Sequence, residues 1–159
     1  MRRKDREITD INDIFSIIKK CDVMRIALFN EEYPYLIPLN FGCNYDAEKL
    51  EFYFHGAKKG LKLDLIEKNN HAAFEMDCSH KLIVDEEACK YTMEYESVCG
   101  NGEMILLETE EKREALTLLM RQYSEESTFT FPDKALEGVA VFKLKVHSVT
   151  GKRLTTTTN

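Results

Sequence analysis

The sequence predicts a mainly β fold, in which an antiparallel sheet curls into a barrel with helices packed on its outside. Six segments have the composition or alternation of strands, and the first of them are separated by short turns, as in hairpins. Three helical segments lie outside any regular β-α-β alternation, which argues against a doubly wound parallel sheet. With 159 residues, 43% of them hydrophobic, the chain has the size of one domain with its own core, and we expect residues 1–159 to form a single domain.

Each strand is predicted from apolar alternation or from β-branched and aromatic composition between turn residues. The predicted strands are residues 23–29, 33–44, 49–55, 71–78, 91–107 and 139–149. Pro34 and Pro38 give the second strand an irregular or edge-like course, because proline donates no hydrogen bond to a sheet. Gly100 and Gly102 indicate a bulge or sharp bend inside the fifth strand.

Each helix is predicted from apolar residues at helical spacing and from residues that favour helix ends. The predicted helices are residues 11–20, 60–69 and 109–123. Thr9 or Asp10 is a candidate N-cap for the first helix, and Thr109 is a candidate N-cap for the third. Residues 79–90 and 124–137 are predicted as loops, the second with a short helical turn near its end.

The net charge and the pattern of cysteines argue against several classes of protein. The formal net charge is −6, which argues against general binding of nucleic acids or anionic membranes, because phosphate groups require clustered lysine and arginine. No apolar leader begins the chain, and no apolar run approaches the ~18 residues of a membrane-spanning helix. The cysteines are odd in number, widely spaced and without a CxxC pair, so we expect free thiols in a cytosolic protein. They are Cys21, Cys43, Cys78, Cys89 and Cys99.

The turn after the third predicted strand has the composition of a phosphate site. Gly56 and Gly60 allow close approach of the backbone to a ligand. Lys58, Lys59 and Lys62 lie at the start of a helix, where free N–H groups attract anions and where lysine is unfavourable without one. The alternative is a solvated, lysine-rich helix start that binds no ligand and in which the glycines are needed only for the geometry of the turn. Neither the P-loop pattern nor GxGxxG is present.

Two strands carry further candidate binding residues. In residues 35–41, Pro38 interrupts the hydrogen-bond ladder and Asn40 adds an amide, so free polar groups are available to hold the edge of a flavin ring. An edge strand protected by proline explains the same residues equally well. Residues 91–100 alternate so that polar side chains occur on both faces. Such a strand lines a wet cavity or an interface, or it is exposed on one side.

These stretches, in this order, resemble the nitroimidazole-resistance (Nim-type) branch of the pyridoxamine 5'-phosphate oxidase-like flavin-binding split barrels. The most specific matches are His55-Gly56-Ala57 and Tyr95-Glu96-Ser97-Val98. Further matches are Met1 to Glu7, Tyr33-Pro34-Tyr35, Pro38-Leu39-Asn40, Tyr53-Phe54, Gly60 with Lys62, Gly100 with Gly102, and His147 to Lys152. The resemblance covers nearly the whole chain, although Lys58-Lys59 and Cys43 fit no part of the family pattern.

The resemblance implies a six-stranded antiparallel split barrel and a homodimer that holds two flavins, FMN or FAD, between its subunits. It also implies, by position in the chain, which residues bind the flavin. The residues bordering the ring would be Pro38, Leu39 and Asn40, with Tyr53, His55 and Gly56 beside it, Lys62 at the phosphate, and Glu96, Ser97 and Val98 as further contacts, some of them across the dimer.

Two functions are compatible with this resemblance. In the first, the protein is a flavin-dependent oxidoreductase, similar to a nitroreductase, that reduces small electron-poor acceptors such as 5-nitroimidazoles. His55 would then be the catalytic residue that orients the acceptor or supplies a proton; the alternative is that His55 only forms a hydrogen bond to the flavin or to a neighbouring strand. In the second, the protein is a non-catalytic flavin- or haem-binding module or sensor. A metal site of Cys78, His80 and Cys89 is not expected, because the spacing matches no structural zinc pattern.

Overall fold

The computed structural model describes residues 3–46 and 48–156 and confirms a mainly β fold with flanking helices. Met1 and Arg2 of the opening motif lie outside the described residues. The strands and helices in chain order are β1 (Glu7–Ile8), α1 (Ile11–Ile18), β2 (Met24–Leu28), β3 (Tyr35–Leu39), β4 (Gly42–Asp46), β5 (Lys49–Ala57), α2 (Leu61–Lys68), β6 (His71–Ile83), β7 (Thr92–Leu106), α3 (Thr109–Tyr123), α4 (Asp133–Gly138) and β8 (Val139–Leu154). Among the described residues, no helix combines the length and the hydropathy needed to cross a bilayer.

The eight strands of the described residues belong to one sheet in the order β3-β2-β6-β7-β8-β5-β4, with β1 paired to β8. Every pairing is antiparallel, as predicted. The predicted number of six strands is wrong for two reasons. Residues 33–44 form two strands, because Asn40 and Phe41 leave the ladder between β3 and β4, and the two-residue β1 was not foreseen. Pro38 lies in β3, which is an edge strand of the sheet.

The course of the chain shows that the sheet curls into a barrel. β3 and β4 occupy opposite ends of the strand order, yet only Asn40 and Phe41 separate them along the chain. The two edges of the sheet therefore meet at residues 39–42, which we call the seam. Tyr123 of α3 fastens the seam, because its hydroxyl accepts a hydrogen bond from the Phe41 N–H (2.8 Å) and donates one to the Asp22 carbonyl (2.8 Å).

Two apolar clusters of the described residues hold the fold together. The larger fills the barrel and includes three buried isoleucines of α1 as well as Phe52 and Phe54 of β5. The smaller lies on the other face of β5 and β8, beneath α3 and α4. Its buried members are Tyr53, Leu107, Ala115, Leu116, Leu136 and Val141. The strand β5 is thus covered on both faces, with Phe52 and Phe54 in the larger cluster and Tyr53 in the smaller.

Three strands extend past their predicted ends because tertiary pairing continues there. β6 runs to Ile83, into the predicted loop 79–90, since a bulge after Cys78 lets it remain paired with β7. β5 and β8 likewise continue to Ala57 and Leu154 through their pairing with each other and with β7. These extensions depend on partner strands that are distant in the sequence, so local composition did not indicate them.

Sequence signals at helix ends and at the bulge of β7 agree with the structure more closely than the predicted strand ends do. Asp10 is the N-cap of α1, as predicted. The N-cap of α3 is Glu108 and not Thr109, because a capping box with the glutamate three residues later forms one position earlier. The predicted bulge of β7 is present between Asn101 and Gly102. A Cβ atom on Gly102 would lie 2.0 Å from the carbonyl oxygen of Lys145, so only glycine fits.

Candidate functional site

Lys62 of α2 lies directly over Gly56 of β5. A Cβ atom at position 56 would be 2.7 Å from the Lys62 Nζ, so the ammonium occupies the space that a side chain there would take. The same Nζ lies 4.8 Å from the ring centroid of Phe142. Burial lowers the pKa of Lys62, and no charged group among the described residues offsets this effect. Lys62 is therefore a half-buried cation with a ring beneath it and no anionic partner in the described part of the chain.

The start of α2 leaves polar groups free beside this lysine. Gly60 is the N-cap, and its φ of 133° is a backbone conformation that other residues rarely adopt. No side chain caps the helix, so its first-turn N–H groups have no side-chain partner among the described residues. Lys58 and Lys59 are exposed, whereas Lys62 is half-buried. The predicted phosphate site therefore combines Gly56, Gly60 and Lys62 at the junction of β5 and α2.

His55 and Tyr53 project from the face of β5 opposite to Gly56. Tyr53 belongs to the smaller apolar cluster and donates a hydrogen bond to the Glu51 Oε2 (2.6 Å). Burial, and then this hydrogen bond, raise the pKa of Tyr53. His55 is exposed, and its side chain makes no hydrogen bond to another described residue. Protein contacts thus hold Tyr53, whereas the imidazole of His55 is available to a ligand.

An apolar pocket of about 240 Å³ lies between His55 and the helices α3 and α4. Apart from His55, its lining is entirely apolar and comprises Leu116, Leu119, Met120, Phe131, Ala135, Leu136 and Val139. Leu116 and Leu136 are buried members of the smaller cluster, and Ala135 is exposed. We call this space the α3–α4 pocket. The imidazole of His55 is the one side chain in its lining that can accept or donate a strong hydrogen bond.

The seam brings Pro38, Leu39 and Asn40 to the His55 end of β5. Gly42, at the other side of the seam, pairs with Tyr53. Pro38 is exposed and Leu39 packs against the larger apolar cluster. The Asn40 side-chain amide donates a hydrogen bond to a backbone carbonyl (3.0 Å) and so steadies the turn between the two edges of the sheet. The predicted ring-bordering segment is therefore close in the fold to the predicted phosphate strand.

Glu96 has a different environment from that expected of a ligand contact. Its buried carboxylate accepts hydrogen bonds from Lys20 (2.6 Å), Ser79 (2.9 Å) and Arg153 (2.6 Å). Burial alone would raise the pKa of Glu96, but these three donors lower it to about 2. The carboxylate therefore ties the turn after α1 to β6, β7 and β8 and is engaged within the chain.

Within one chain, residues 96–98 lie far from the β5 end of the site. Val98 points into the larger cluster, as Glu96 does, and Ser97 lies on the opposite face. Ser97 pairs with Lys152 of β8, whereas His55 pairs with Val141, eleven residues earlier on that strand. At about 3.3 Å per residue this separation is on the order of 35 Å along the strand. Ser97 is thus distant from His55 along β8, whereas the register of β3, β2, β6 and β7 places Pro38 in the same row as Cys99, three strands away.

Sequence patterns did not reveal the α3–α4 pocket or the contacts that shape it. Lys112 donates hydrogen bonds to the carbonyls of Leu136 (3.3 Å) and Val139 (2.9 Å), at the end of α4. Arg113 donates to the Phe131 carbonyl (2.8 Å) and to Asp133 Oδ1 (2.9 Å), at its start. The available signal was the apolar spacing of α3 together with the apolar residues Phe131, Ala135 and Leu136 in the predicted loop 124–137. Apolar spacing alone does not indicate that α3 packs against this loop.

The cysteines and the other metal-ligating side chains form no second site. All five cysteines are free thiols. In the ranges 3–46 and 48–156, no three His, Cys, Asp or Glu side chains are grouped so that they could hold a metal ion.

Comparisons with known proteins give a family and a fold. The family model described as pyridoxamine 5'-phosphate oxidase matches residues 10–153. Among solved structures, the chain is similar to a candidate 5-nitroimidazole antibiotic resistance protein from Bacteroides thetaiotaomicron. That structure is 33% identical in sequence, with a TM-score of 0.80 over 92% of this chain and 86% of the other. No curated protein sequence matches the chain significantly.

Two structures of lower identity have the same fold. A FAD- and haem-binding protein from Mycobacterium smegmatis is 17% identical, with a TM-score of 0.82 over 93% of this chain and 73% of the other. A flavocytochrome from Azotobacter vinelandii is 18% identical, with a TM-score of 0.80 over 98% of this chain and 72% of the other. At these identities the likeness establishes the split-barrel fold and nothing more.

Proposed function

The chain belongs to the pyridoxamine 5'-phosphate oxidase family, and we propose that it is a flavin-dependent reductase of small electron-poor acceptors such as 5-nitroimidazoles, with FMN or FAD as its cofactor. The relative from Bacteroides thetaiotaomicron, itself described as a candidate 5-nitroimidazole resistance protein, supports this choice of acceptor. The flavin- and haem-binding relatives support a flavin in this fold.

One observation carries the proposal: Lys62 is half-buried over Gly56 without an anionic partner in the described residues. Holding an ammonium away from water costs free energy unless an anion or hydrogen-bond acceptors compensate it. The phosphate of a flavin nucleotide would supply that anion next to the first turn of α2, where N–H groups and the helix dipole favour negative charge. The residues present therefore fit the phosphate end of the cofactor.

The test is a titration of FMN, and separately of FAD, into flavin-free protein, followed through flavin absorbance. Lys62→Ala is expected to weaken binding at least tenfold, because charge-assisted hydrogen bonds contribute about 1.5–3 kcal/mol. Lys68→Ala removes the same charge from the exposed end of α2 and is the matched control, with wild-type affinity. Equal affinities of Lys62→Ala and wild type would refute the phosphate site, and a wild-type protein that binds neither nucleotide would refute the proposed function.

His55 is the residue we assign to the acceptor. A bound flavin supplies hydride or single electrons to a molecule stacked on its ring, and the protein positions that molecule. The exposed His55 imidazole has no hydrogen-bond partner among the described residues, so it is free to orient the acceptor or to hand it a proton. His55→Ala is expected to lower turnover at least tenfold while FMN affinity changes less than twofold.

A turnover assay distinguishes the reductase function from that of a non-catalytic flavin-binding module. With FMN bound and a 5-nitroimidazole present, a reductase oxidises NADH or NADPH faster than the same concentration of free FMN does. Oxidation no faster than with free FMN would favour a flavin-binding module or sensor. Retention of haem by the purified protein, seen as a Soret band, would favour the haem-binding function.

We also propose a homodimer, because the resemblance to the family implies one and because His55 and Ser97, two of the predicted flavin contacts, are distant along β8. An apolar row on the outer face of the sheet offers a contact surface: Leu36, which is 62% exposed, pairs with Ala27, and Ala27 pairs with Ala73. Exposed apolar rows of this kind commonly mark protein contacts. Analytical ultracentrifugation should give twice the chain mass for wild type and a monomer for Leu36→Glu; a wild-type monomer would contradict the dimer.

A further inference from the structure

We propose that the α3–α4 pocket binds a small uncharged molecule with a single aromatic ring, and that His55 makes the one polar contact to it. The further assignment of this molecule as the electron acceptor rests on the proposed function above. The pocket itself is a property of β5, α3 and α4, and it needs no flavin to exist.

Size and lining define the chemical class of the ligand. An apolar protein cavity of about 150 Å³ is large enough to bind benzene. The α3–α4 pocket, at about 240 Å³, has room for one ring with one or two small substituents. Because every lining side chain except His55 is apolar, a charged ligand would lose its hydration in exchange for a single hydrogen bond from His55. A neutral ring with a hydrogen-bonding substituent directed at His55 matches both the volume and the lining.

The wall that α4 contributes is held in place before any ligand arrives. Lys112 fastens the end of this short helix through two backbone carbonyls, and Arg113 fastens its start through a carbonyl and a carboxylate. Both cations come from consecutive positions of α3. Because the opposing helices are fixed to each other, binding does not have to order the wall, and this preorganisation favours a defined ligand site over an adventitious gap.

Ala135 allows the pocket to be filled without disturbing the core. It lies in α4, lines the pocket and is exposed, whereas its neighbour Leu136 is buried in the smaller cluster. Ala135→Leu adds three carbon atoms to the lining, and leucine is a good helix former. Ala135→Ser adds a single oxygen atom and is the matched control for a small substitution at the same position.

The experiment is 19F NMR of 4-fluorophenol titrated into flavin-free wild type, Ala135→Leu and Ala135→Ser. Wild type and Ala135→Ser should bind with dissociation constants within about twofold of each other, and Ala135→Leu at least tenfold more weakly. Far-ultraviolet circular dichroism and FMN titration of each variant establish that fold and cofactor site are unchanged. 4-Fluorobenzoate, which carries a charge on the same ring, should bind at least tenfold more weakly than 4-fluorophenol to wild type.

Each contrary result has a distinct meaning. Unchanged 4-fluorophenol affinity in Ala135→Leu, or no binding to wild type, overturns the pocket proposal even where FMN binds normally. Equal affinity for 4-fluorobenzoate overturns the requirement for an uncharged ligand. Failure of FMN to bind while 4-fluorophenol binds leaves the pocket intact and overturns the proposed function. In FMN-loaded protein, 4-fluorophenol should inhibit acceptor reduction competitively, and non-competitive behaviour overturns the assignment of the bound molecule as the acceptor.

Discussion

Lys62 can lie over β5 because Gly56 has no side chain. In a Gly56→Ala variant the new Cβ would be 2.7 Å from the Lys62 Nζ, so the ammonium must move. The atom displaced is the free end of a flexible side chain, and alanine in a strand costs the backbone nothing. We therefore expect FMN affinity to fall at least tenfold in a titration, while the free energy of unfolding changes by less than about 1 kcal/mol.

Gly138 provides the matched control for this substitution. A Cβ atom at position 138 would meet nothing within 4 Å. Gly138→Ala should therefore bind FMN as wild type does. An FMN affinity of Gly56→Ala equal to that of Gly138→Ala would show that the position of the Lys62 ammonium does not matter for binding.

Glu96 makes stability depend on pH in a predictable direction. Its pKa in the folded protein is about 2, compared with 4.5 for an unperturbed glutamate. A group with a lowered folded pKa contributes stability above the unfolded pKa and loses it as pH falls towards the folded pKa. Glu96→Gln should therefore lower the free energy of unfolding by about 2–3 kcal/mol at pH 7. In urea titrations, the difference from wild type should shrink between pH 4.5 and pH 2.

A glutamate in an exposed loop is the control that distinguishes loss of the Glu96 hydrogen bonds from loss of one negative charge. Glu86 is exposed, and Glu86→Gln should leave both the stability and its pH dependence within about 0.5 kcal/mol of wild type. If Glu96→Gln loses no more stability than Glu86→Gln, the hydrogen bonds from Lys20, Ser79 and Arg153 do not stabilise the fold as the distances imply.

Among the elements, those defined by local patterns could be predicted and those defined by distant pairing could not. The isoleucines of α1 and the alternation of β5 are local, and both elements were placed within a few residues. The break at Asn40 and Phe41 depends on the barrel closing there and on Tyr123, more than 80 residues away. Nothing in residues 33–44 distinguishes one interrupted strand from two strands on opposite edges of a sheet.

The packing of α3 on β4 gives a prediction at the scale of elements. A Cβ atom on Gly42 would lie 2.4 Å from both the backbone N and the Cα of Leu119, so α3 itself would have to move. The backbone of a packed helix cannot move aside as easily as the end of a flexible side chain. Gly42→Ala should destabilise the protein by about 3 kcal/mol or more, measured by thermal or urea unfolding with Gly138→Ala as control. A loss below about 1 kcal/mol would mean that α3 is not seated on β4 in this way.

At the scale of the molecule, the candidate site was only partly predictable. The phosphate end depends on residues within one turn of chain, and Gly56, Gly60 and Lys62 do come together. The relation between that end and residues 96–98 depends on the register of β8 with two different strands, which no local pattern encodes. The resemblance to the family implies contacts across a dimer, which stay a prediction, and the separation of His55 from Ser97 along β8 is compatible with them.

A shared site makes a quantitative prediction for mixed dimers. If each flavin lies between Lys62 of one subunit and Ser97 of the other, Lys62→Ala and Ser97→Phe damage the same site from opposite subunits. A heterodimer of the two variants then has one doubly damaged site and one intact site. Equal amounts, unfolded and refolded together, should give heterodimers in about half of the dimers and so recover about a quarter of the wild-type FMN sites.

The control for this mixture uses two variants from the same end of the site. Lys62→Ala and Gly56→Ala both alter the junction of β5 and α2, so their heterodimer has one defect in each site and should recover no FMN binding. Recovery in the first mixture alone would locate each flavin between the subunits, because free mixing of folded chains cannot repair a site contained in one of them. The absence of recovery in both mixtures, with each variant dimeric by ultracentrifugation, would mean that Ser97 takes no part in the site of the partner subunit.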